Sequence, residues 1–435
     1  MSNTVSEKNG QQLKNDVTFF AEGKTKIVWQ CIDNPDLCII ESKNDITCVG
    51  KGMHDVIENK AFFANQTTCN VFKLLAECNI PVAFQKELSD SKFLAKLCTM
   101  IPYEVVVRRA AHGSFLKRYP HLKKGHNFSN LIVEFFLKTS NQKWEQFNLP
   151  CDDPFIQFID NKANLFEPDK ALVTSIPFLI LENYPLKDKQ ELLEHIAQLA
   201  RQTFLVLEKA WQKLGKKLVD FKVEFGIDSK GNVLLADVID NDSWRLLENN
   251  MYLDKQVYRD GGNINTVAEL YKRVAHLSNQ FEVPKQRIII WRASEKDDIE
   301  PLINELKNYT GALELTTVTY SLHKEPAKAY YTLQNLVDEI PNSVLIALVG
   351  RSNGAGPTLA ANTTIPVITV PMGWQNFPED VWSSLRVPSL VPLLTVLDVQ
   401  NAALAALQIL ALQSPHLYAL LRLKQEKRLL NIIPF

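Results

Sequence analysis

Cysteine is confined to one end of the chain and histidine is thinly spread. All seven cysteines (Cys31, Cys38, Cys48, Cys69, Cys78, Cys98 and Cys151) fall within the first 151 of 435 residues, and no two are spaced CxxC. An odd, one-sided set of this kind is no disulfide framework, so the cysteines read as small apolar fillers of a reducing compartment. The eight histidines form no HxxxH or His/Cys cluster, which argues against a zinc site. An excess of either charge is also missing. Lys+Arg number 48 against 49 Asp+Glu, for a net charge of −1, which supplies no electrostatic footprint for nucleic acid or an anionic membrane. A membrane span needs about 20 consecutive apolar residues. The most apolar tract, Ser389 to Gln413, is broken by Pro392, Asp398, Gln400, Asn401 and Gln408, and is expected to form a buried helix with its preceding loop. Met1 to Asn15 is polar with no apolar h-region, so no signal peptide is expected and a cytoplasmic location is. No internal repeat or low-complexity block is present.

What remains is ordinary globular material, 46% hydrophobic and 22% charged. At roughly 150 residues per domain it suits two or three domains. The patterning changes near residue 285. Before it, Lys26–Cys31 and Leu37–Ser42 flank a turn at Asn34-Pro35-Asp36, and Asp220–Phe225 and Val233–Ile239 flank another at 228–232. These are hairpins, and helical periodicity follows at Asn59–Glu77 and Lys189–Leu214. After it, short apolar strands (Ile288–Trp291, Glu314–Thr319, Val344–Val349, Pro366–Val370) alternate with helical runs (Asp297–Tyr309, Pro326–Ile340, Val399–Leu412). That alternation means a parallel sheet covered on both faces, with ligands at the carboxyl ends of the strands. The domain boundary is expected in the connector, with residues 1–262 as a first domain, 263–286 as a helical linker carrying Val267–Leu277, and 287–435 as a second domain.

Several strings carry candidate chemistry. Glu22-Gly23-Lys24-Thr25-Lys26 puts a glycine beside two lysines on alternate residues. They either neutralise a polyphosphate or form a solvated strand edge. Asp220, Lys222 and Glu224 alternate and share one face of a strand, and hairpin folding brings Ala236 and Asp237 opposite Glu224. The two carboxylates Glu224 and Asp237 can share a hard divalent cation, or the charges simply face solvent. Asp242 and Arg245 follow in a stretch dense in hydrogen-bonding groups, where Arg245 can fork onto a phosphate or carboxylate. The apolar strand from Met100 ends in Arg108-Arg109 and then His112-Gly113-Ser114, either an anion site or a sheet edge. In the second half, Gly350 to Gly356 is a glycine-rich loop behind a strand, which is either a cradle for a small anion or a plain turn. His323-Lys324 lies at the same end of the sheet, suited to proton transfer or merely exposed.

The strings EGKTK, MIPYEVVVRRAAHGSF, LVDFKVEFG and ADVIDNDSWR, in that order, resemble the SAICAR synthetase family (phosphoribosylaminoimidazole-succinocarboxamide synthases) over about residues 15 to 260. The resemblance implies an α+β ATP-binding domain using ATP and Mg²⁺ to join a carboxylated aminoimidazole ribonucleotide to aspartate. By position, Gly23, Lys24 and Lys26 would hold ATP phosphates, and Glu224 and Asp237 the metal and nucleotide. Arg108, Ser114, Asp220, Lys222, Asp242 and Arg245 would line the ribonucleotide and aspartate site, with Lys222 and Asp220 nearest the chemistry. His112 and Tyr103 depart from the family pattern.

The loops of the second half, with Trp382-Ser383-Ser384-Leu385-Arg386, resemble the animal-type AIR carboxylase family, which performs the preceding step with neither ATP nor biotin and is fused to the synthase in this order. The fold implied is a three-layer α/β domain with a parallel sheet, of the class II PurE type, which assembles as homo-octamers. The resemblance assigns Ser352 and Gly354 to CO₂, His323 and Lys324 to the proton or substrate site, and Ser294 and Asp297 to the ribonucleotide. Ala293, Lys296, Glu325, Ala360 and Ala361 depart from that family's loops; each change removes a glycine or hydroxyl, or adds bulk or charge. The alternative is an active synthase whose second domain serves only as an assembly core, with the apolar helix Ala402–Leu412 buried in an interface. The partners implied are small molecules, with no nucleic acid and no membrane.

Overall fold

The computed structural model describes residues 17–48, 52–350 and 354–430. Its N-terminal half is built on two antiparallel sheets. The first has five strands in the order Val17–Glu22, Lys26–Cys31, Leu37–Ser42, Lys92–Lys96, Phe84–Ser89. The second has nine, and its centre runs Asn127–Leu137, Thr99–Ala110, Lys217–Ile227, Trp244–Glu248, with Val233–Ala236 pairing Lys217–Ile227 as well. Both expected hairpins form. Helices Lys60–Glu77 and Gln190–Lys213 bury their apolar stripes against these sheets, in a core that includes Phe72, Leu75, Phe204, Trp211 and Phe221. The helix Ile264–Ser278 starts at Asn263, whose side chain accepts a hydrogen bond from Asn265 N. It joins Lys60–Glu77 in a small cluster through Val267 and Tyr271, with Ile46, Ile57 and Ala64.

The C-terminal half is a five-stranded parallel sheet, ordered Glu314–Thr319, Arg287–Arg292, Ser343–Val349, Val367–Pro371, Leu393–Thr395. Every residue of Ser343–Val349 is buried, as expected of a strand covered on both faces. Ile288, Ile290, Val344 and Ile346 pack into one helical layer, and Ile289, Trp291, Leu345 and Ala347 into the other.

Two expectations about the helices need correction. The helix read from Asp297 begins at Glu300, because Asp297 accepts from Ser294 N and Asp298 from Glu300 N, closing turns instead. The apolar helix Val399–Ala411 buries Ala402, Ala403, Ala406 and Leu407 inside its own chain and leaves Leu412, just past its end, exposed. A last helix, Pro415–Leu430, was not expected at all. Among the described residues Cys31, Cys38, Cys69, Cys78, Cys98 and Cys151 are free thiols, the first four of them buried. No helix among the described residues is long and apolar enough to cross a membrane.

Candidate functional site

Strand Lys217–Ile227 organises the site through its register. Asp220 lies opposite Arg108 on one neighbour and opposite Arg245 on the other. Both guanidiniums donate to the same oxygen, Arg108 Nη1 and Arg245 Nη1 each 2.7 Å from Asp220 Oδ2. Arg108 Nε also donates to Glu134 Oε2 at 2.6 Å, and Arg118 Nη2 to both oxygens of Glu134 at 2.7 and 2.8 Å. Arg118 is fully buried and lies over the rings of Phe136 and Phe155. Three guanidiniums against two carboxylates leave a net positive charge in a poorly solvated place, which favours an anionic ligand. Arg245 is the guanidinium of the three most open to solvent. A Cβ at Gly113, which has φ +56°, would sit 2.2 Å from Arg245 Nη2, so glycine is required there. Ser114 opens the short helix Ser114–Arg118 beside it.

Four residues along, Glu224 lies opposite Glu104, a like-charge pair that costs stability unless neutralised. Lysines neutralise it. Lys138 Nζ is 2.5 Å from both oxygens of Glu224, and Lys222 Nζ is 2.8 Å from Glu104 and 3.2 Å from Glu224. Burial opposes the charge of Glu224, but Lys222 and Lys138 outweigh it and hold the carboxyl down at about 2. Burial likewise opposes the charge of Lys222, and Glu104 and Glu224 overcome it, leaving the amine above its ordinary range. Ala236 pairs with Glu224, so Asp237 follows directly at the hairpin's end, in the left-handed region at φ +68°. A non-glycine residue in that region carries strain, which clusters at functional sites. Asp237 is ion-paired with Lys26, and burial pushes that amine down to about 8. The amide of Gly23 donates to Lys26 O at 2.9 Å, closing a tight turn before the strand begins. Lys24 is exposed in that turn, outside the strand that begins at Lys26.

Asp242 stands in a separate buried network. It accepts from Lys255 Nζ at 2.9 Å and from the Tyr271 hydroxyl, with buried Lys60 over the Tyr271 ring at 5.1 Å. Burial opposes its charge, yet Lys60 and Lys255 hold it below the usual carboxylate range, whereas burial and Asp242 itself lift Asp240 to about 6. Nearby Asp254 accepts from the amides of Leu246 and Gln256 at 2.7 Å each, and burial lifts it to about 7.

In the second half the expected residues gather at the carboxyl ends of the parallel strands. A Cβ on Gly354 would lie 3.3 Å from His323 Nε2, and one on Gly350 would lie 3.8 Å from Asp297 Oδ1. Asp297 Oδ2 accepts from Ser294 N at 2.8 Å. His323 and Lys324 are exposed. Ser352 lies outside the described residues. Of the departures, Glu325 turns to Lys328 at 3.0 Å, Ala293, Lys296 and Ala361 are exposed, and Ala360 is buried.

Sequence reasoning brought together Arg108, Asp220 and Arg245, and Glu224 with Asp237. It missed Glu134, Arg118, Lys138, Glu104, Lys60, Lys255 and Tyr271, most of them far in sequence from the charges they meet. Glu104 alone stood inside one of the quoted strings, MIPYEVVVRRAAHGSF, with no role given to it. His112 is buried, its Nδ1 2.7 Å from the Tyr252 hydroxyl. Tyr103 is also buried and donates to Pro185 O at 2.6 Å. Among the described residues no group of three His, Cys, Asp or Glu side chains is arranged to hold a metal ion.

Comparison with known proteins accounts for both halves. The SAICAR synthetase family model matches residues 19–276, and the AIR carboxylase model residues 287–429. The chain is 35% identical over 424 residues to a probable multifunctional protein ADE2 of Caenorhabditis elegans, covering 95% of this chain and 94% of that one. It is 34% identical over 417 residues to the bifunctional phosphoribosylaminoimidazole carboxylase/phosphoribosylaminoimidazole succinocarboxamide synthetase of Drosophila melanogaster, covering 93% and 91%. A solved phosphoribosylaminoimidazole-succinocarboxamide synthase from Ehrlichia chaffeensis is 29% identical, covers 60% of this chain and 98% of its own, and superposes with a TM-score of 0.49. The chain belongs to the family of bifunctional AIR carboxylase/SAICAR synthetases.

Proposed function

We propose that the protein is a two-activity enzyme of purine biosynthesis. Its C-terminal half carboxylates aminoimidazole ribonucleotide with CO₂, and its N-terminal half joins the resulting carboxylate to L-aspartate with ATP. The observation that carries the synthase reading is one strand, Lys217–Ile227, which bears Asp220 in an arginine cluster and Glu224 in a lysine cluster. Arg108, Arg245 and Ser114 bind the anionic ribonucleotide, with Asp220 holding both guanidiniums in place. Lys26, with Gly23 and Lys24 at its turn, binds ATP phosphates. Glu224 and Asp237 are hard oxygen donors ringed by Lys26, Lys138 and Lys222, a set that fits a divalent cation on a polyphosphate, since the ammonium groups can turn from carboxylate to phosphate. Mg²⁺ held there would neutralise phosphate charge. Lys222 steadies the charge on the substrate carboxylate as it accepts a phosphoryl group, and the aspartate amine then displaces phosphate from the acyl phosphate. Alignment and charge neutralisation supply the rate, with no dedicated nucleophile. Asp242 fixes Lys255 and Tyr271 at the aspartate end.

For the carboxylase we assign His323 and Lys324 to the proton that leaves the imidazole carbon, Ser294 and Asp297 to the ribonucleotide, and Ser352 with Gly354 to CO₂. We infer a division at 1–262, 263–286 and 287–435, a homo-octameric assembly and a cytoplasmic location, the last in keeping with the free thiols.

Incubating purified protein with aminoimidazole ribonucleotide and bicarbonate, without ATP or aspartate, tests the carboxylase alone. Carboxylated nucleotide is expected. Its absence, with succinocarboxamide still made from supplied carboxylate, would leave the second half an assembly core. Asp237→Asn is expected to abolish Mg-ATP-dependent amide synthesis while staying folded; unchanged turnover would overturn the metal assignment.

A further inference from the structure

The last helix, Pro415–Leu430, belongs by sequence to the carboxylase half, yet it packs along Gln190–Lys213 and on Asn127–Leu137 of the synthase half. The place it touches is irregular. Along Thr99–Ala110 the ladder jumps from Arg108 opposite Ile132 to Ala110 opposite Asn127, so residues 128–131 bulge out of it. A bulge strips backbone groups of ladder partners, and buried ones must find others. The helix supplies them. Leu131 N donates to Glu426 Oε2 at 2.9 Å, and Arg422 Nη2 donates to Ser129 O at 2.7 Å. Arg109 Nη1 donates to Phe128 O and Ser129 O at 3.3 and 3.2 Å, while its Nη2 donates to Glu426 Oε1 at 2.9 Å and to Glu208. Tyr418 Oη donates to Glu208 Oε2 at 2.9 Å. Glu426 is only 3% exposed.

On the far side of the same two strands lie Arg108 and Glu134, joined to each other and to Arg118 and Asp220. We propose that Glu426 is a positioning residue of the synthase reaction: from the carboxylase half it holds Arg109 and the 128–131 bulge, and thereby sets Arg108 and Glu134 at the ribonucleotide site. The proposal rests on the synthase reading above. Glu426→Gln leaves Arg109 with one carboxylate and a single amide oxygen to serve Leu131 N, Arg109 and Arg422, and the strands carrying Arg108 and Glu134 are free to slip. The lysine-ringed ATP end, at Glu104 and Lys138, lies beyond the regular stretch of the same ladder from Val107 opposite Val133 to Tyr103 opposite Leu137, and stays as it was.

The test is steady-state kinetics on full-length Glu426→Gln, with the wild type alongside. KM for the carboxylated ribonucleotide is expected to rise about tenfold, the loss of roughly one charged hydrogen bond, with KM for ATP within about twofold of wild type. A general loss of stability does not separate the two constants. Unchanged constants, or both shifting together, would overturn the proposal. Should this variant fail to fold, Tyr418→Phe removes one hydrogen bond to Glu208 and no packing. A smaller rise in the ribonucleotide KM alone supports the proposal, and no change overturns it. A wild type that makes no amide product defeats the functional reading itself, a result distinct from any of these.

Discussion

Single residues carry the most readable consequences. Gly113 meets Arg245 so closely that any side chain must displace the guanidinium, and its φ of +56° penalises other residues besides. Gly113→Ala is therefore expected to raise KM for the carboxylated ribonucleotide at least about tenfold, the cost of roughly one lost charged hydrogen bond. Carboxylation should continue at the wild-type rate; equal KM values in an amide-synthesis assay would refute the role given to Arg245. His112, one residue earlier, is a titration marker. Burial, with Arg245 and Lys124 adding to it against Asp220, pushes its imidazole down to about 4, whereas in the unfolded chain it sits near about 6.5. Between those values the unfolded chain binds the proton more readily, so stability is fully present above the unfolded value and is lost as pH falls toward the folded one. Thermal melts of His112→Asn, which keeps a polar atom for Tyr252, should fall less steeply from pH 7 to 4.5 than those of the wild type. Parallel curves would exclude the assignment. His112 and Gly113 were visible in the sequence as a string. That Arg245 presses on Gly113 was not, because 132 residues separate them.

At the scale of elements, what could be read locally was read well. The turn at 228–232 fixes the hairpin register, and alternation then dictates that Asp220, Lys222 and Glu224 share a face, as they do. Register against non-local strands was out of reach. Nothing near Glu224 announces that Glu104 lies opposite it, or that Lys138 reaches across to cancel the repulsion. The helix Ile264–Ser278 shows the same limit. Its periodicity marks a helix, but not that Tyr271 reaches Asp242, or that its ring lies under Lys60. Tyr271→Phe removes the hydroxyl donor from a buried carboxylate, which costs about 1–3 kcal/mol. Urea denaturation should show a lower midpoint with an unchanged slope, and hydrogen exchange should quicken first in Ile264–Ser278. A wild-type midpoint would mean that Lys60 and Lys255 already satisfy Asp242.

For the molecule as a whole, the helix Pro415–Leu430 decides how the two halves behave. Its apolar residues are divided between two cores, Leu417, Leu420 and Leu421 in the carboxylase half, Ala419 and Leu423 in the synthase half, with Tyr418 touching both. That division hid it in the sequence, since apolar residues facing two ways make no single stripe at helical spacing. Further ties run through the linker beside it: Phe281 packs edge-on against Trp211 of the first half, and Gln286 donates to Leu410 O of the second at 2.9 Å. Neither core is complete without a helix whose other face belongs to its neighbour, so opening one half strips apolar cover and a buried charge partner from the other. The halves should therefore melt together. Calorimetry of the intact chain is expected to give one transition whose calorimetric and van't Hoff enthalpies agree. A ligand of the synthase site alone, such as a nucleoside diphosphate, should raise the melting of both halves, since a ligand that binds only the native state stabilises every part unfolding with it. Two resolved transitions, with only the upper or lower one responding to the nucleotide, would show that the helix detaches from one core before either melts and that the halves are energetically separate.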